Sequence, residues 1–367
     1  MENRVKGNQK LLERILEAVE QKGKIPFSEF MEIALYHPDH GYYCRKSEIF
    51  GESGDYRTAP GIHSAFGKRI ARLGIRIFRE TGAPAPFVVV EFGGGTGALA
   101  EAFLREIRLR DESLFLSTDY VILERSPALQ RLQEKRLGDL RERVRWAGNE
   151  TEVLKPRSLS GLCIANEFFD ALPFHRLRWT GAGLHEIYLK REAGEIREVE
   201  SPCSDPGLES YFLRYGSRLK PGFLFEACLE ARSWMRKMAS SMKKGAALIL
   251  DYGERAEVLH SDRYPAGTAR AFFRHTVKDP DPRMAGLEDI TASVNFSALQ
   301  DAGLEGGFPE AHLYTQGSFL IGLGILDDFP RIEACKHVEE AFRLKELILP
   351  GGMGEAFKAL LFGRYAL

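Results

Sequence analysis

Apolar residues recur at helical spacing near the start of the chain, where Leu11, Leu12, Ile15, Leu16 and Val19 share a face before Lys22-Gly23-Lys24-Ile25-Pro26 ends the pattern. Ser28 predicts an N-cap for a second helix through Leu35, stopped by Pro38. Beyond His37-Pro38-Asp39-His40-Gly41 the pattern is extended or looped, because Gly51, Gly54 and Thr58-Ala59-Pro60-Gly61 forbid a long element. Residues 1–80 therefore read as an N-terminal extension that packs on a catalytic domain and has no core of its own.

The period changes at Phe87. Phe87-Val88-Val89-Val90-Glu91-Phe92 is a continuous β-branched run that breaks into Gly93-Gly94-Gly95-Thr96-Gly97 and then a helical pattern from Ala98 to Ile107. Similar runs follow at Tyr120 to Glu124, Gly161 to Asn166 and Ala246 to Asp251, each ending on an acid or an amide. Buried strands separated by helices, with polar residues at their carboxyl ends, predict an open parallel α/β sheet whose ligand lies along that edge.

Residues 81–183 would form the first part of this domain. Residues 184–245 would be an insertion, beginning with a hairpin from Leu184 to Val199 that turns near Gly194 and continuing as helix from Leu208 to Lys243. It is placed to overhang the sheet edge as a substrate wall. Residues 246–335 would complete the sheet, with an irregular insertion at 252–288 rich in Arg, Pro and Asp, a helix from Thr291 to Ala302 and a closing apolar hairpin. Residues 336–367 read as a helical tail, amphipathic from Lys336 to Leu361 and interrupted by Pro350-Gly351-Gly352.

Composition narrows the class. The 367 residues suit about two domains, or one with large insertions, and 44% hydrophobic with 28% charged residues excludes a disordered chain or a coiled coil. Lys and Arg number 51 against 52 Asp and Glu, so the total charge gives no footprint for nucleic acid or an anionic membrane. The five cysteines (Cys44, Cys163, Cys203, Cys228, Cys335) are scattered and never in a CxxC pair, which argues against a disulfide framework or a zinc site and for a reducing compartment. Glu13, Glu17 and Glu20 disfavour a signal peptide or an organelle presequence, and the most apolar stretch, Phe319 to Leu326, is far short of the ~20 residues that span a bilayer. A cytoplasmic location is expected.

The glycine cluster carries the sharpest chemical signal. Glu91-Phe92-Gly93-Gly94-Gly95-Thr96-Gly97 is GxGxG directly after a strand, with an acid two residues before the first glycine. A dinucleotide site needs GxGxxG so that pyrophosphate caps the next helix. S-adenosylmethionine (SAM) has no phosphate and suits the observed spacing, with Glu91, Gly93, Gly95 and Gly97 around the donor. Glu124, ending the next strand, can accept both ribose hydroxyls, although a dinucleotide fold would use it in the same way. A purely structural glycine turn is the remaining alternative.

Asn166-Glu167-Phe168-Phe169-Asp170-Ala171-Leu172-Pro173 follows a later strand and falls beside the expected donor site. Methyl transfer requires an oriented nucleophile, exclusion of water and a proton acceptor. For a guanidinium nucleophile the requirement is for carboxylates, which Glu167 and Asp170 could supply. The structural alternative for both is to cap a following helix or to tether Arg176 or Arg178. Asp55, in Gly54-Asp55-Tyr56-Arg57-Thr58-Ala59-Pro60, could close over the donor and pair its ammonium, or lie in an ordinary loop. His37 and His40 have HxxH spacing, but Pro38 and the lack of a helix make them a turn rather than a metal site.

Taken together, these blocks resemble the MidA-like family of class I SAM-dependent methyltransferases, whose mitochondrial member is a protein arginine methyltransferase required for assembly of respiratory complex I. The likeness runs through Phe30-Met31, Ala34-Leu35-Tyr36-His37-Pro38, Gly41-Tyr42-Tyr43, the Gly54 to Pro60 loop with Phe66-Gly67, and the Glu91 glycine loop. It continues through Leu123-Glu124-Arg125-Ser126-Pro127, the Asn166 to Pro173 segment with His175-Arg176, Asp251-Tyr252-Gly253, Gly267-Thr268, Asp289-Ile290-Thr291-Ala292, Gln316 and Met353-Gly354.

The resemblance implies a seven-stranded Rossmann-like sheet with SAM at the glycine loop and Glu124. It also implies an active site at Asn166, Glu167 and Asp170, and a protein substrate such as a respiratory-complex subunit. Gly61 and His63 stand where the family usually has Glu and Ser, and Ala269 and Phe272 where it has Leu and Tyr. An assembly chaperone that keeps SAM as a structural ligand, and a small-molecule methyltransferase, are the alternatives.

Overall fold

The β-branched runs associate side by side in a computed structural model of the chain, which describes residues 7–44, 58–274, 276–329 and 338–365. Counting only the central sheet, its strands are β1 (Phe87–Phe92), β2 (Thr118–Leu123), β3 (Val144–Ala147), β4 (Leu159–Asn166), β5 (Met242–Glu254), β6 (Ala311–Thr315) and β7 (Phe357–Phe362). Their spatial order is β6-β7-β5-β4-β1-β2-β3, and the short segment Val294–Asn295 adds to the end of β5. The strands from β3 to β5 run parallel, whereas β7 is antiparallel to both of its neighbours.

Helices cover both faces, which is why the strands read as unbroken apolar runs rather than alternating ones. Phe87 and Val89 of β1 face a layer containing Phe103 and Ile107, while Val90 and Phe92 face Trp234, Met235 and Met238. β4 and β5 approach closely at paired glycines: a Cβ on Gly161 would stand 1.9 Å from the Val88 carbonyl oxygen, and one on Gly245 1.9 Å from that of Gly161.

A second sheet has the order Ile25–Pro26, Leu184–Glu192, His175–Trp179, Leu224–Ala227, with Glu195–Ser201 paired to Leu184–Glu192. The helices Gln9–Lys22 and Phe27–Tyr36 pack against it, burying Leu11, Ile15, Phe27 and Phe30 with Phe174 and Leu189. The extension thus shares a core with the insertion, which residues 1–80 alone do not suggest. Pro26, not Ser28, occupies the N-cap of the second helix, and the Ser28 hydroxyl lies 3.4 Å from His175 Nδ1. The hairpin predicted to turn near Gly194 is present.

Four other expectations need correction. The stretch from Leu208 to Lys243 is two helices, Pro206–Tyr215 and Leu229–Ser241, separated by a strand. Residues 252–288 carry strands of a small antiparallel sheet in which Arg270–Phe273 lies between Thr276–Lys278 and Asp289–Thr291. The helix placed at Thr291 to Ala302 is Phe296–Glu305, because Asn295 caps it through Ala298 N. Finally, the tail contains the predicted helix as Val338–Ile348 but ends in β7, so the closing hairpin forms between β6 and the C-terminal strand. Ala359, Leu360, Leu361 and Phe362 have no exposed surface, because β7 is paired on both edges and its side chains enter the cores on both faces of the sheet.

Candidate functional site

The carboxyl ends of β1, β2, β4 and β5 converge on two adjoining cavities. The donor-side cavity, about 160 Å³, is lined by Glu91, Gly93, Gly95, Glu124, Phe168 and Trp234 among others. The glycine loop leaves β1 with φ of 71° at Gly93, 49° at Gly95 and 79° at Gly97, a left-handed course that side chains resist. Gly97 is the N-cap of the helix Ala98–Arg110.

Gln133 ties this loop to the neighbouring acid. Its Nε2 donates to the Gly95 carbonyl at 3.0 Å and to Glu124 Oε2 at 3.2 Å, and its Oε1 accepts from Trp146 Nε1 at 2.7 Å. Glu124 Oε1 accepts from Ser126 N at 2.9 Å. Burial pushes the Glu124 carboxyl up to about 7 against these hydrogen bonds. Glu91 is buried more completely, accepts from the Tyr120 hydroxyl at 2.8 Å, and is pushed up to about 8, chiefly by burial.

These groups fit SAM. A buried acid on the cavity wall suits a ligand carrying an ammonium and a sulfonium, and a carboxylate at the end of β2 retains lone pairs for hydroxyl donors. The aromatic pair Phe168 and Trp234, 5.4 Å apart and perpendicular, supplies an apolar wall. Asp55 lies outside the described residues. Gln133 and Tyr120 line neither cavity but hold Glu124, Gly95 and Glu91 in place; no local motif marks them, and each is found only by the contact its element makes across the sheet edge.

The second cavity, about 600 Å³, shares Glu167 and Tyr43 with the first and adds Asp170, Tyr252, Asp289 and Arg270. Its walls come from the 252–293 region and the C-terminal segment. The 184–245 insertion contributes none of its lining, and gives only Glu230 and Trp234 to the donor side. The wall expected from that insertion is therefore built by later residues.

The segment after β4 makes a sharp turn instead of entering a helix, and Glu167 takes φ of 51°. Its Oε1 accepts from Asn166 Nδ2 at 3.1 Å and from Ala59 N at 3.2 Å. Burial, with the nearby Asp170 charge, pushes Glu167 up to about 8. Asp170 is pushed up to about 6 by burial, with the Tyr252 hydroxyl opposing, and its buried Oδ1 has no hydrogen-bond partner among the described residues.

Beneath the turn lies Asp251, fully buried at β5. Its Oδ2 accepts from Phe169 N at 3.0 Å and Asp170 N at 3.3 Å, and its Oδ1 from Tyr252 N at 2.9 Å. Neither structural alternative for the acids holds: no helix follows, and Arg176 and Arg178 pair with Glu198 and Glu200.

The departure at 63 is accommodated. His63 Nδ1 accepts from Ala65 N at 3.0 Å, the bond a hydroxyl would make at the start of the helix Ala65–Glu80, whose N-cap Ser64 makes no such bond. His37 and His40 stack at 5.5 Å, and among the described residues no cluster of His, Cys, Asp and Glu forms a metal site.

A family model described as "Putative S-adenosyl-L-methionine-dependent methyltransferase" matches residues 69–311. The chain belongs to that methyltransferase family. It is accordingly an α/β enzyme that uses SAM as methyl donor.

A crystal structure of a Burkholderia thailandensis protein bound to S-adenosyl-homocysteine is similar to this methyltransferase with a TM-score of 0.84 and 28% identity, covering 98% of this chain and 94% of that one. Among curated relatives, the Drosophila melanogaster mitochondrial protein arginine methyltransferase NDUFAF7 homolog is 29% identical over 326 residues, 80% of this chain and 70% of its own. The Homo sapiens mitochondrial protein arginine methyltransferase NDUFAF7 is 26% identical over 339 residues, 86% and 73% of the two chains. Among the described residues no helix is long and apolar enough to cross a membrane.

Proposed function

We propose that this methyltransferase acts on arginine side chains of a protein substrate. The observation that carries the reading is Glu167, a half-buried carboxyl side chain that lines both cavities, with the buried Asp170 on the same turn. A guanidinium presents a rigid fork of donors that two carboxyl groups can hold, and its positive charge relieves the cost of ionising them in a buried site. The names of the fly and human relatives support the same acceptor.

Bound SAM supplies a methyl group on a sulfonium for in-line displacement. Glu91, Glu124 and the glycines Gly93, Gly95 and Gly97 hold the donor, and Phe168 and Trp234 exclude water from it. Glu167 orients the acceptor nitrogen and takes its proton; a group shifted up to about 8 is poised for that near neutral pH. Asn166 fixes the Glu167 carboxyl through its Nδ2, and Asp170 holds the guanidinium's other edge.

Glu167→Gln tests the assignment. It should keep the S-adenosyl-homocysteine affinity within about twofold and lower kcat by about 100-fold or more, the range of a lost general base. Unchanged turnover would remove Glu167 from the reaction.

A further inference from the structure

Among the described residues only two, Glu167 and Tyr43, line both cavities. Glu167 carries the proposed chemistry, and Tyr43 comes from the Gly41-Tyr42-Tyr43 block of the N-terminal extension. Its neighbour Tyr42 is fully buried, as a tyrosine used for packing is, whereas Tyr43 is half-buried and borders the space where donor and acceptor would meet.

The Tyr43 ring is held from several sides. Its hydroxyl donates to Oδ1 of the buried Asp289 at 2.7 Å, the Tyr36 ring stacks on it at 5.5 Å, and the Tyr42 ring meets it edge-on at 5.1 Å. Both ends of this arrangement return to the turn that bears Glu167. The Tyr36 hydroxyl donates to the Ala171 carbonyl at 2.8 Å, and Ala292, just beyond the strand Asp289–Thr291, donates its N–H to the Asp170 carbonyl at 3.2 Å. A closed circuit of contacts thus fixes the ring relative to the turn. An immobilised aromatic ring is a wall that a planar guanidinium can lie against.

We propose that Tyr43 is a positioning residue for methyl transfer: its ring, with the Glu167 carboxyl, confines the target side chain so that the acceptor nitrogen lies in line with the donor's methyl–sulfur bond. The inference rests on the arginine methyltransferase reading. Tyr43 itself forms and breaks no bond. The nitrogen's electron pair forms the N–C bond as the C–S bond breaks onto sulfur, and the displaced proton goes to Glu167. Such a wall acts on the rate of transfer, since a displacement of about 1 Å can cost about 100-fold. A ring that only bound the substrate would change half-saturation instead, and a ring that only packed the extension would change stability.

The test uses the full chain, saturating SAM and a dilution series of lysate protein, with methylarginine quantified after hydrolysis. The series separates the maximal rate from the half-saturating protein concentration. Affinity for S-adenosyl-homocysteine and the urea unfolding midpoint are measured beside it. Tyr43→Leu should lower the maximal rate about 100-fold, with half-saturation and the S-adenosyl-homocysteine Kd within about threefold of wild type. Tyr43→Phe keeps the ring and loses its tether to Asp289, so it should recover most of the rate and remain about fivefold below wild type.

A folded Tyr43→Leu with the wild-type maximal rate overturns the inference, and so does a loss confined to half-saturation or to S-adenosyl-homocysteine affinity. Where Tyr43→Leu fails to fold, Tyr43→Phe decides: its predicted loss of rate at unchanged midpoint and affinity upholds the assignment, and a wild-type rate overturns it. No methylarginine from the wild type would instead refute the parent reading, and this inference with it.

Discussion

Four carboxyl groups of the site, Glu91, Glu124, Glu167 and Asp170, are held above their ordinary range chiefly by burial. The consequence for pH follows from the sign. A carboxyl raised in the folded protein binds its proton more tightly there than in the unfolded chain. Its contribution to stability is full below the unfolded value near 4.5 and is lost as pH rises through about 7 for Glu124 and about 8 for Glu91. The ligand-free melting temperature should therefore fall between about pH 5 and pH 8.5. A cationic donor favours the ionised acids, so SAM binding should release protons and tighten as pH rises over the same window. Calorimetry in buffers of different ionisation enthalpy checks this; binding without proton release would contradict it. Glu124→Ala should weaken S-adenosyl-homocysteine by about 10- to 100-fold, measured as Kd, because it removes an acceptor and leaves the Gln133 and Ser126 donors unmatched.

At the scale of elements, the turn after β4 depends on Asp251. Asp251→Ala would strip the buried N–H groups of Phe169, Asp170 and Tyr252 of their acceptor, and should cost about 2–5 kcal/mol in urea unfolding. It should also lower kcat, since Glu167 would lose the backbone that aims it; unaltered stability would show that water substitutes for the carboxylate. This turn also marks what was legible in the sequence. The strands β1, β2, β4 and β5 could be read because parallel strands buried on both faces form continuous apolar runs, and the glycine spacing and terminal acids could be read because they are local. β3 is not legible, since Val144-Arg145-Trp146-Ala147 is short and carries a charge. β7 reads as helix, since a short apolar run does not reveal its period and its partners β5 and β6 lie far back in the chain. The cavity wall at Arg270 is illegible for a related reason: its strand pairs on one side with Asp289–Thr291, farther along the chain.

For the whole molecule, the last strand closes the fold. Removing the chain from Phe357 onward would delete β7 from between β5 and β6 and expose two strand edges, so the truncated protein should show no cooperative unfolding by circular dichroism. A cooperative transition would mean that the sheet is stable without this antiparallel strand. The extension and the insertion share one core on the second sheet, and the helix Phe27–Tyr36 brings Glu32 and Tyr36 to the donor cavity, so the parts that flank the central sheet also border its chemistry. On the proposed reading, Glu167, which lines both cavities, links the donor in the smaller one to the acceptor in the larger. The most direct test of that account is transfer of labelled methyl from SAM into lysate proteins by the wild type and by Glu167→Gln, with acid hydrolysis to identify the labelled amino acid. The expected result is label in methylarginine with the wild type and about 100-fold less with the variant; label in another amino acid, or equal label from both proteins, would contradict it.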